Sequence, residues 1–359
     1  MSKILIITNH SYMLYRFRLE LIQELMKSHE VVLSMPFVGH EDDFKALGLK
    51  CIHTEIDRRG VNPKTDFKLL MTYYKQIRQE KPDLVITYSI KPNIYAGLVC
   101  TWLKIPYCVN VQGMGTAFDN PKLRPFVSKL YRAAVKNVKV AFFENAGNKE
   151  DFWRYGILEH SKGHVTRGAG INVDQYPYVK YPENDVFRFL YLGRIMKEKG
   201  MDELFESIEM LYEDGLKFVV DLVGFFEDEY KEKVEEYVKR GLVVYHGFQS
   251  DPRPYYAAAD CVVLPSYHEG LSNVLLEGAC TGRPLITSNI DGCRQALLGQ
   301  YSGYLCEPRN TKSLYAAMKR MMKATREERD FMGVTGHRFV TSTFDRRLVV
   351  DDVIKQLMK

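Results

Sequence analysis

The feature that most constrains this chain is an alternation that runs twice. Short β-branched and aliphatic runs at residues 4–8, 30–35, 51–56, 84–87, 107–111 and 140–144 are separated by helical patterns. The clearest of these helices are 15–28 and 67–79, the second closed by Lys81-Pro82. At these lengths the pattern predicts βαβ units and a parallel sheet buried on both faces. Residues 170–187, GINVDQYPYVKYPENDVF, have two prolines and no periodicity, and read as a linker. Beyond them the alternation restarts. Strands are expected at 188–193, 218–224, 243–246, 261–265 and 284–287, with helices at 200–213 and 228–240. The expected architecture is α/β: two Rossmann-like, doubly wound domains over 1–169 and 170–339, each presenting its strand C-termini to a cleft. A closing helix is expected over 338–359, and the sequence alone does not show whether its 340–359 portion returns to the first domain.

A length of 359 residues suits two domains, and 46% hydrophobic with 26% charged residues is enough for two cores in a soluble chain. No stretch approaches the ~20 uncharged apolar residues of a spanning helix. The opening MSKILIITNHS enters a strand pattern directly, unlike a secretory signal. Seven scattered cysteines without a Cys-x-x-Cys pair read as buried hydrophobes in a reducing compartment. A cytoplasmic protein is expected.

Charge is unevenly distributed. Residues 1–169 carry 25 Lys+Arg against 16 Asp+Glu, and residues 170–359 carry 25 against 29, which gives +9 and −4. The excess peaks at Lys122, Arg124, Lys129, Arg132, Lys136 and Lys139, which have no acid among them and are interleaved with Leu123, Phe126, Leu130, Tyr131 and Val135. Such a helix suits an anionic membrane surface, and equally a solvated face. No nucleic-acid recognition motif accompanies it, so nucleic acid is not an expected partner.

Four stretches are candidates for chemistry. In HEGLSNVLLEG, Glu269 and Glu277 flank a Gly270-Leu271-Ser272 turn at the end of a strand. Ser272 can cap the helix that follows, whose free amides would bind an anion, while carboxylates accept hydrogen bonds from sugar hydroxyls. The alternative is a capped helix with solvated acids. In GRIMKEKG, Arg194 and Lys199 follow the first strand of the second domain and Gly193, a pair suited to a diphosphate. Lys91 and Asn93 follow the strand 84–87 and are expected to face the cleft, Arg58 and Arg59 follow the run 51–56, and all four are candidates for the acceptor side. Ordinary turns with solvated charges remain the alternative for these. Gly113-Met-Gly115 and Gly168-Ala-Gly170 do not complete G-x-G-x-x-G, so a nicotinamide or flavin fingerprint is absent. With no Asp-x-Asp and no close His/carboxylate cluster, a catalytic metal is not expected.

Together, GR-x4-KG and LPSYHEGLSNVLLEG with Glu-x7-Glu resemble the family 4 retaining glycosyltransferases of the GT-B fold, over nearly the full chain. RRGVNP, KPDLVITYSIKPNIYAG, VNVQGMGTAF and NHSYMLYRFR are closer still to capsule, O-antigen and lipid-linked oligosaccharide hexosyltransferases. The resemblance implies transfer from a UDP-sugar to an undecaprenyl-diphosphate-linked saccharide. No metal or other cofactor is implied, and the protein would sit on the inner face of the cytoplasmic membrane.

By the same resemblance, Arg194 and Lys199 hold the donor diphosphate, Glu269 and the amides of Gly270, Leu271 and Ser272 the sugar or phosphate, and Glu277 the ribose. Gly224, Gly247 and Phe248 match where the base lodges. Two departures lie in the first domain. Gln112 stands where many relatives have a histidine, and the first loop is Asn9-His10-Ser11-Tyr12 in place of a glycine-rich one, which makes His10 a candidate. Rival functions are a UDP-N-acetylhexosamine 2-epimerase, for which no convincing acid/base set is present, and a non-catalytic nucleotide-sugar sensor.

Overall fold

The computed structural model describes residues 1–57, 62–113, 118 and 122–359. The chain divides into two compact units, Met1–Ala169 with Arg347–Lys359, and Gly170–Arg346.

Among the described residues the first unit has strands β1 Ser2–Ile7, β2 His29–Met35, β3 Lys50–His53, β4 Leu84–Tyr88, β5 Tyr107–Val111, β6 Val140–Phe143 and β7 Gly163–Val165. They form one parallel sheet in the order β3-β2-β1-β4-β5-β6-β7. One face packs on the helices Pro63–Glu80, Ile90–Leu103, Arg124–Ala134 and Ala146–Arg154, where Tyr73, Ile77, Val99, Tyr131 and Phe152 are buried. The other face packs on Ser11–Met26 and Glu41–Ala46, and on Val349, Val350, Val353 and Leu357 of the closing helix. Lys139 Nζ donates to the Leu357 carbonyl at 2.7 Å, and His164 Nε2 lies 2.8 Å from Asp352. The chain end thus completes the core of the first unit.

The second unit has β8 Phe187–Leu192, β9 Phe218–Val223, β10 Val243–Gly247, β11 Cys261–Leu264, β12 Leu285–Ser288 and β13 Gly303–Cys306. These are parallel in the order β10-β9-β8-β11-β12-β13. The strand order reverses between β8 and β11, as it does between β1 and β4 in the first sheet. Loops leaving adjacent strands there diverge to opposite faces, which opens a crevice at the strand C-termini.

Three expectations are corrected. The single helix over 338–359 is two helices, Arg326–Thr343 and Arg346–Met358. They break because Phe344 is buried in the core of the second unit while its carbonyl accepts from Ile171 N at 2.7 Å, and Arg346 N donates to Ile171 O at 2.9 Å. The expected linker is a strap packed on the second unit. Buried Arg283 donates to the carbonyls of Val179 (2.9 Å) and Lys180 (3.1 Å), and the Tyr181 hydroxyl donates to Asp260 O at 3.0 Å. Strands β7 and β13 fall outside the expected set, since short edge strands containing glycine give little apolar signal.

Candidate functional site

The site is built where β8 and β11 part. After β8, Gly193 adopts φ 153° and Arg194 follows; a 3₁₀ turn, Lys197–Lys199, ends at Gly200 with φ 74° before the helix Met201–Glu213. A Cβ on Gly200 would lie 2.2 Å from the Pro265 carbonyl oxygen. Only glycine lets the two loops approach this closely. Tyr267 N donates to Glu198 O at 2.9 Å and binds the loops together. Held in this way, Lys199 Nζ lies 2.5 Å from Glu269 Oε1, which also accepts from Ser266 Oγ at 2.8 Å. Both side chains of the pair are 15% exposed.

Arg194 is fixed from the other side. Its Nη1 donates to Glu227 Oε2 at 3.0 Å, in the loop after β9. That loop is laced to the first: Ile195 N donates to Phe225 O at 2.9 Å, Glu227 N to Ile195 O at 3.1 Å, and Lys197 N to Asp228 Oδ2 at 2.8 Å. Beneath, the Tyr191 hydroxyl donates to the Arg194 carbonyl at 2.6 Å. Burial, reinforced by the charge of Glu269, holds the Tyr191 phenol well above its ordinary range. The Cys293 thiol is likewise pushed up by burial and by Glu269.

The three glycines of the sheet edge are stacked across β8, β9 and β10. Gly193 N donates to Val223 O at 2.9 Å and Gly224 N to Gly247 O at 2.8 Å, while a Cβ on Gly224 would meet Gly193 O at 1.8 Å. Phe248, 56% exposed, stands beside Phe225 with ring centroids 6.4 Å apart.

At the start of the helix Asn273–Cys280, Ser272 occupies the N-cap with φ −72° and ψ 107°, but its side chain makes no capping hydrogen bond. Its amide donates to Gly292 O at 2.9 Å. This corrects the expectation that the Ser272 amide serves a ligand, because the segment at Gly292 is packed on the Glu269–Gly270 backbone and takes it. Leu271 is buried at the same turn. Glu277, expected on a face within reach of a ligand, is buried, and its Oε2 accepts from the Tyr256 hydroxyl at 2.9 Å.

In the first unit, residues at the ends of adjacent strands β1, β4 and β5 come together. Ser89 Oγ lies 2.8 Å from Asn9 Oδ1 and 3.5 Å from Gln112 Oε1. Ser89 has φ 77° and ψ 159°, a conformation that L residues rarely adopt. His10 precedes the helix Ser11–Met26, its ring edge-on to Tyr12. Lys91 is ion-paired with Asp66 at 2.7 Å. Asn93 is corrected as an acceptor-side residue. It is buried between Thr87 Oγ1 (2.6 Å) and the Asn110 carbonyl (2.8 Å), and serves to fix the β4–β5 pairing. Arg58 and Arg59 lie outside the described residues.

The basic segment divides in two. Arg124 donates to Phe118 O, Arg132 to the carbonyls of Gly156 and Tyr155, and Lys139 to Leu357 O, so these three bind the first unit itself. Lys122, Lys129 and Lys136 are exposed, together with Leu123 and with Phe126 at 60% exposure.

Sequence reasoning passed over Glu227, Asp228 and Tyr256, which hold Arg194, its loop and Glu277. The only signal for the first two is a pair of acids shortly after the strand-ending Gly224. Nothing in the sequence marks the positive φ of Ser89.

Two parallel-sheet Rossmann-like units make the GT-B fold, and in the second a cationic loop and a glutamate meet at the switch point. The family models agree. Residues 186–324 match "Glycosyl transferases group 1" and residues 3–145 match "Glycosyl transferase 4-like", and the chain belongs to this glycosyltransferase family. It is similar to the N,N′-diacetylbacillosaminyl-diphospho-undecaprenol α-1,3-N-acetylgalactosaminyltransferase of Campylobacter jejuni, 29% identical over 84% of either chain. It is also similar to the UDP-Gal:α-D-GlcNAc-diphosphoundecaprenol α-1,3-galactosyltransferase of Escherichia coli, 26% identical over 73% of this chain and 72% of that one. The solved structure of Anabaena HepE in complex with UDP and glucose has the same fold, with a TM-score of 0.81 over 100% of both chains at 13% identity. The protein is a hexosyltransferase.

Proposed function

We propose that the protein transfers a hexose or N-acetylhexosamine from a UDP-sugar, with retention of anomeric configuration, to an undecaprenyl-diphosphate-linked saccharide in bacterial surface-glycan biosynthesis. The observation that carries this reading is the Lys199–Glu269 contact at the switch point, with Arg194 on the same strand edge. The names of the Campylobacter and Escherichia relatives, both acting on diphospho-undecaprenol saccharides, support the acceptor class, and the second names a UDP-sugar donor.

In this reading Arg194 and Lys199 bind the diphosphate, Glu269 the hydroxyls of the donor sugar, and Glu277 the ribose. Gly224, Gly247 and Phe248 border the base, while His10 and Gln112 serve the acceptor side. The acceptor oxygen bonds to the anomeric carbon on the face from which UDP departs. The bond from that carbon to the phosphate oxygen breaks with its electron pair on UDP, and a phosphate oxygen takes the acceptor proton. Charge growing on the leaving group is met by two preorganised cations, with no divalent metal needed. The exposed Lys122, Lys129 and Lys136 around Phe126 fit an anionic membrane surface, which supports a position on the inner face of the membrane that carries the acceptor.

The test supplies the purified chain with a panel of UDP-sugars and an undecaprenyl-diphosphate-linked saccharide. Multiple-turnover UDP release with a lipid-linked product is expected, and the anomeric proton coupling of the product reads retention. Release of UDP without a product, conversion of the UDP-sugar to an isomer, or an inverted linkage each overturns the corresponding part of the proposal.

A further inference from the structure

We infer that Tyr256 is the positioning residue for the Glu277 carboxylate, and so helps to determine how tightly the second unit holds a nucleotide by its ribose hydroxyls. The inference rests on the reading of Glu277 as the ribose ligand.

Tyr256 lies in the short helix Arg253–Ala258 between β10 and β11, and its side chain is fully buried. Its hydroxyl donates to Glu277 Oε2 at 2.9 Å, and Glu277 is itself 3% exposed. An ionised carboxylate only accepts hydrogen bonds, and its two oxygens offer about four lone-pair sites. A phenol on one oxygen therefore fixes the plane of the group without exhausting its capacity for a vicinal diol, whose two hydroxyls both donate.

Tyr256 is in turn held at both ends. Its ring meets Tyr176 edge-on, with centroids 6.1 Å apart, and its carbonyl accepts from Arg283 Nε at 2.9 Å. Arg283 is fully buried, and burial draws its pKa below the ordinary arginine value. Its Nη2 donates to the strap carbonyls of Val179 and Lys180, and its Nη1 to the Gly282 carbonyl at 3.5 Å. A buried guanidinium donating to four backbone carbonyls is a rigid anchor, since each lost bond would leave a desolvated donor. The sequence from strap to Arg283, Tyr256 and Glu277 thus delivers one carboxylate in one orientation.

Calorimetric titration of the full chain with UDP and with 2′,3′-dideoxyuridine diphosphate tests this, using wild type, Tyr256→Phe and Glu277→Gln, with melting temperatures followed in parallel. Tyr256→Phe keeps the ring and removes only the hydroxyl. It is expected to weaken UDP binding about tenfold, the scale of one charge-assisted hydrogen bond, while binding the dideoxy nucleotide as wild type does. Unchanged UDP affinity in Tyr256→Phe, alongside a loss in Glu277→Gln, overturns the positioning role. Equal weakening of both nucleotides by Tyr256→Phe marks a purely structural effect and overturns it as well. If Glu277→Gln weakens UDP and the dideoxy nucleotide by the same factor, so that it still prefers UDP as wild type does, the ribose reading of Glu277 falls, and if wild type binds neither, the UDP reading falls.

Discussion

Lys199 Nζ and Glu269 Oε1 lie 2.5 Å apart although 70 positions separate them in the chain, and both side chains are largely withdrawn from solvent. The contact exists because Gly200 permits the loop after β8 to touch Pro265 at the end of β11. It places a cation beside a carboxylate at the one point in the sheet where strand order reverses.

Lys199→Ala and Arg194→Ala should each reduce transfer by about two orders of magnitude, the scale of losing one preorganised charge contact. Steady-state rates with saturating acceptor check this, and near-wild-type rates in both variants would remove these residues from the site. Glu227→Gln, which weakens the grip on Arg194 without touching Lys199, should fall between wild type and Arg194→Ala.

Gly200→Ala should destabilise the second unit by about 1–3 kcal/mol and weaken nucleotide binding together. The new methyl would sit 2.2 Å from the Pro265 carbonyl, and φ 74° is strained for alanine. Gly215→Ala, also at positive φ but with open space around its Cβ, separates the two effects: it should cost stability without altering nucleotide affinity. Thermal melts and UDP titrations of the two variants decide the matter.

Transfer should survive chelation. In the proposed mechanism Arg194 and Lys199 take the charge role that a divalent ion plays elsewhere, so EDTA dialysis followed by assay in metal-free buffer should leave the rate within about twofold of that with added Mg²⁺. A collapse restored by Mg²⁺ would show that the two cations are not sufficient.

Stability should fall in alkali. Burial pushes the thiols of Cys100, Cys108, Cys280 and Cys306 up to about 12. The folded thiols stay protonated while those of the unfolded chain ionise near about 8.5, so the unfolded state binds fewer protons and stability declines as pH rises between those values. The slope is about 1.4 kcal/mol per pH unit for each thiol. Melting temperatures across about pH 8–11 should drop progressively, and alkylation of these thiols in the native protein should track unfolding.

Binding to anionic vesicles should require Lys129 and Lys136 and weaken with salt, because exposed charges are screened within about 8 Å at physiological ionic strength. Flotation with phosphatidylglycerol vesicles should lose the Lys129→Glu/Lys136→Glu variant while its UDP affinity holds. Equal flotation of variant and wild type, or binding indifferent to salt, would refute the surface.

The doubled alternation of apolar runs and amphipathic stretches determined the class of both sheets, since a parallel strand buried on two faces must be apolar along its length. The loops carrying Arg194, Lys199 and Glu269 were legible for a related reason: ligands of such sheets bind at strand C-termini, and sequence shows which polar residues follow each strand. What sequence could not show is which of those polar side chains meet and which are spent inside the fold. Asn93 looked like a surface asparagine and proved to be a buried link between β4 and β5. Ser272 had the position of a capping residue, yet Gly292 takes its amide. Tyr256 carried no local mark, and Glu227 only its place in a pair of acids after Gly224, because their partners, Glu277 and Arg194, are 21 and 33 positions away. Hydrophobic pattern is a local property and fixes the elements, whereas satisfying buried polar groups is a property of the packed whole, and only the tertiary structure decided it.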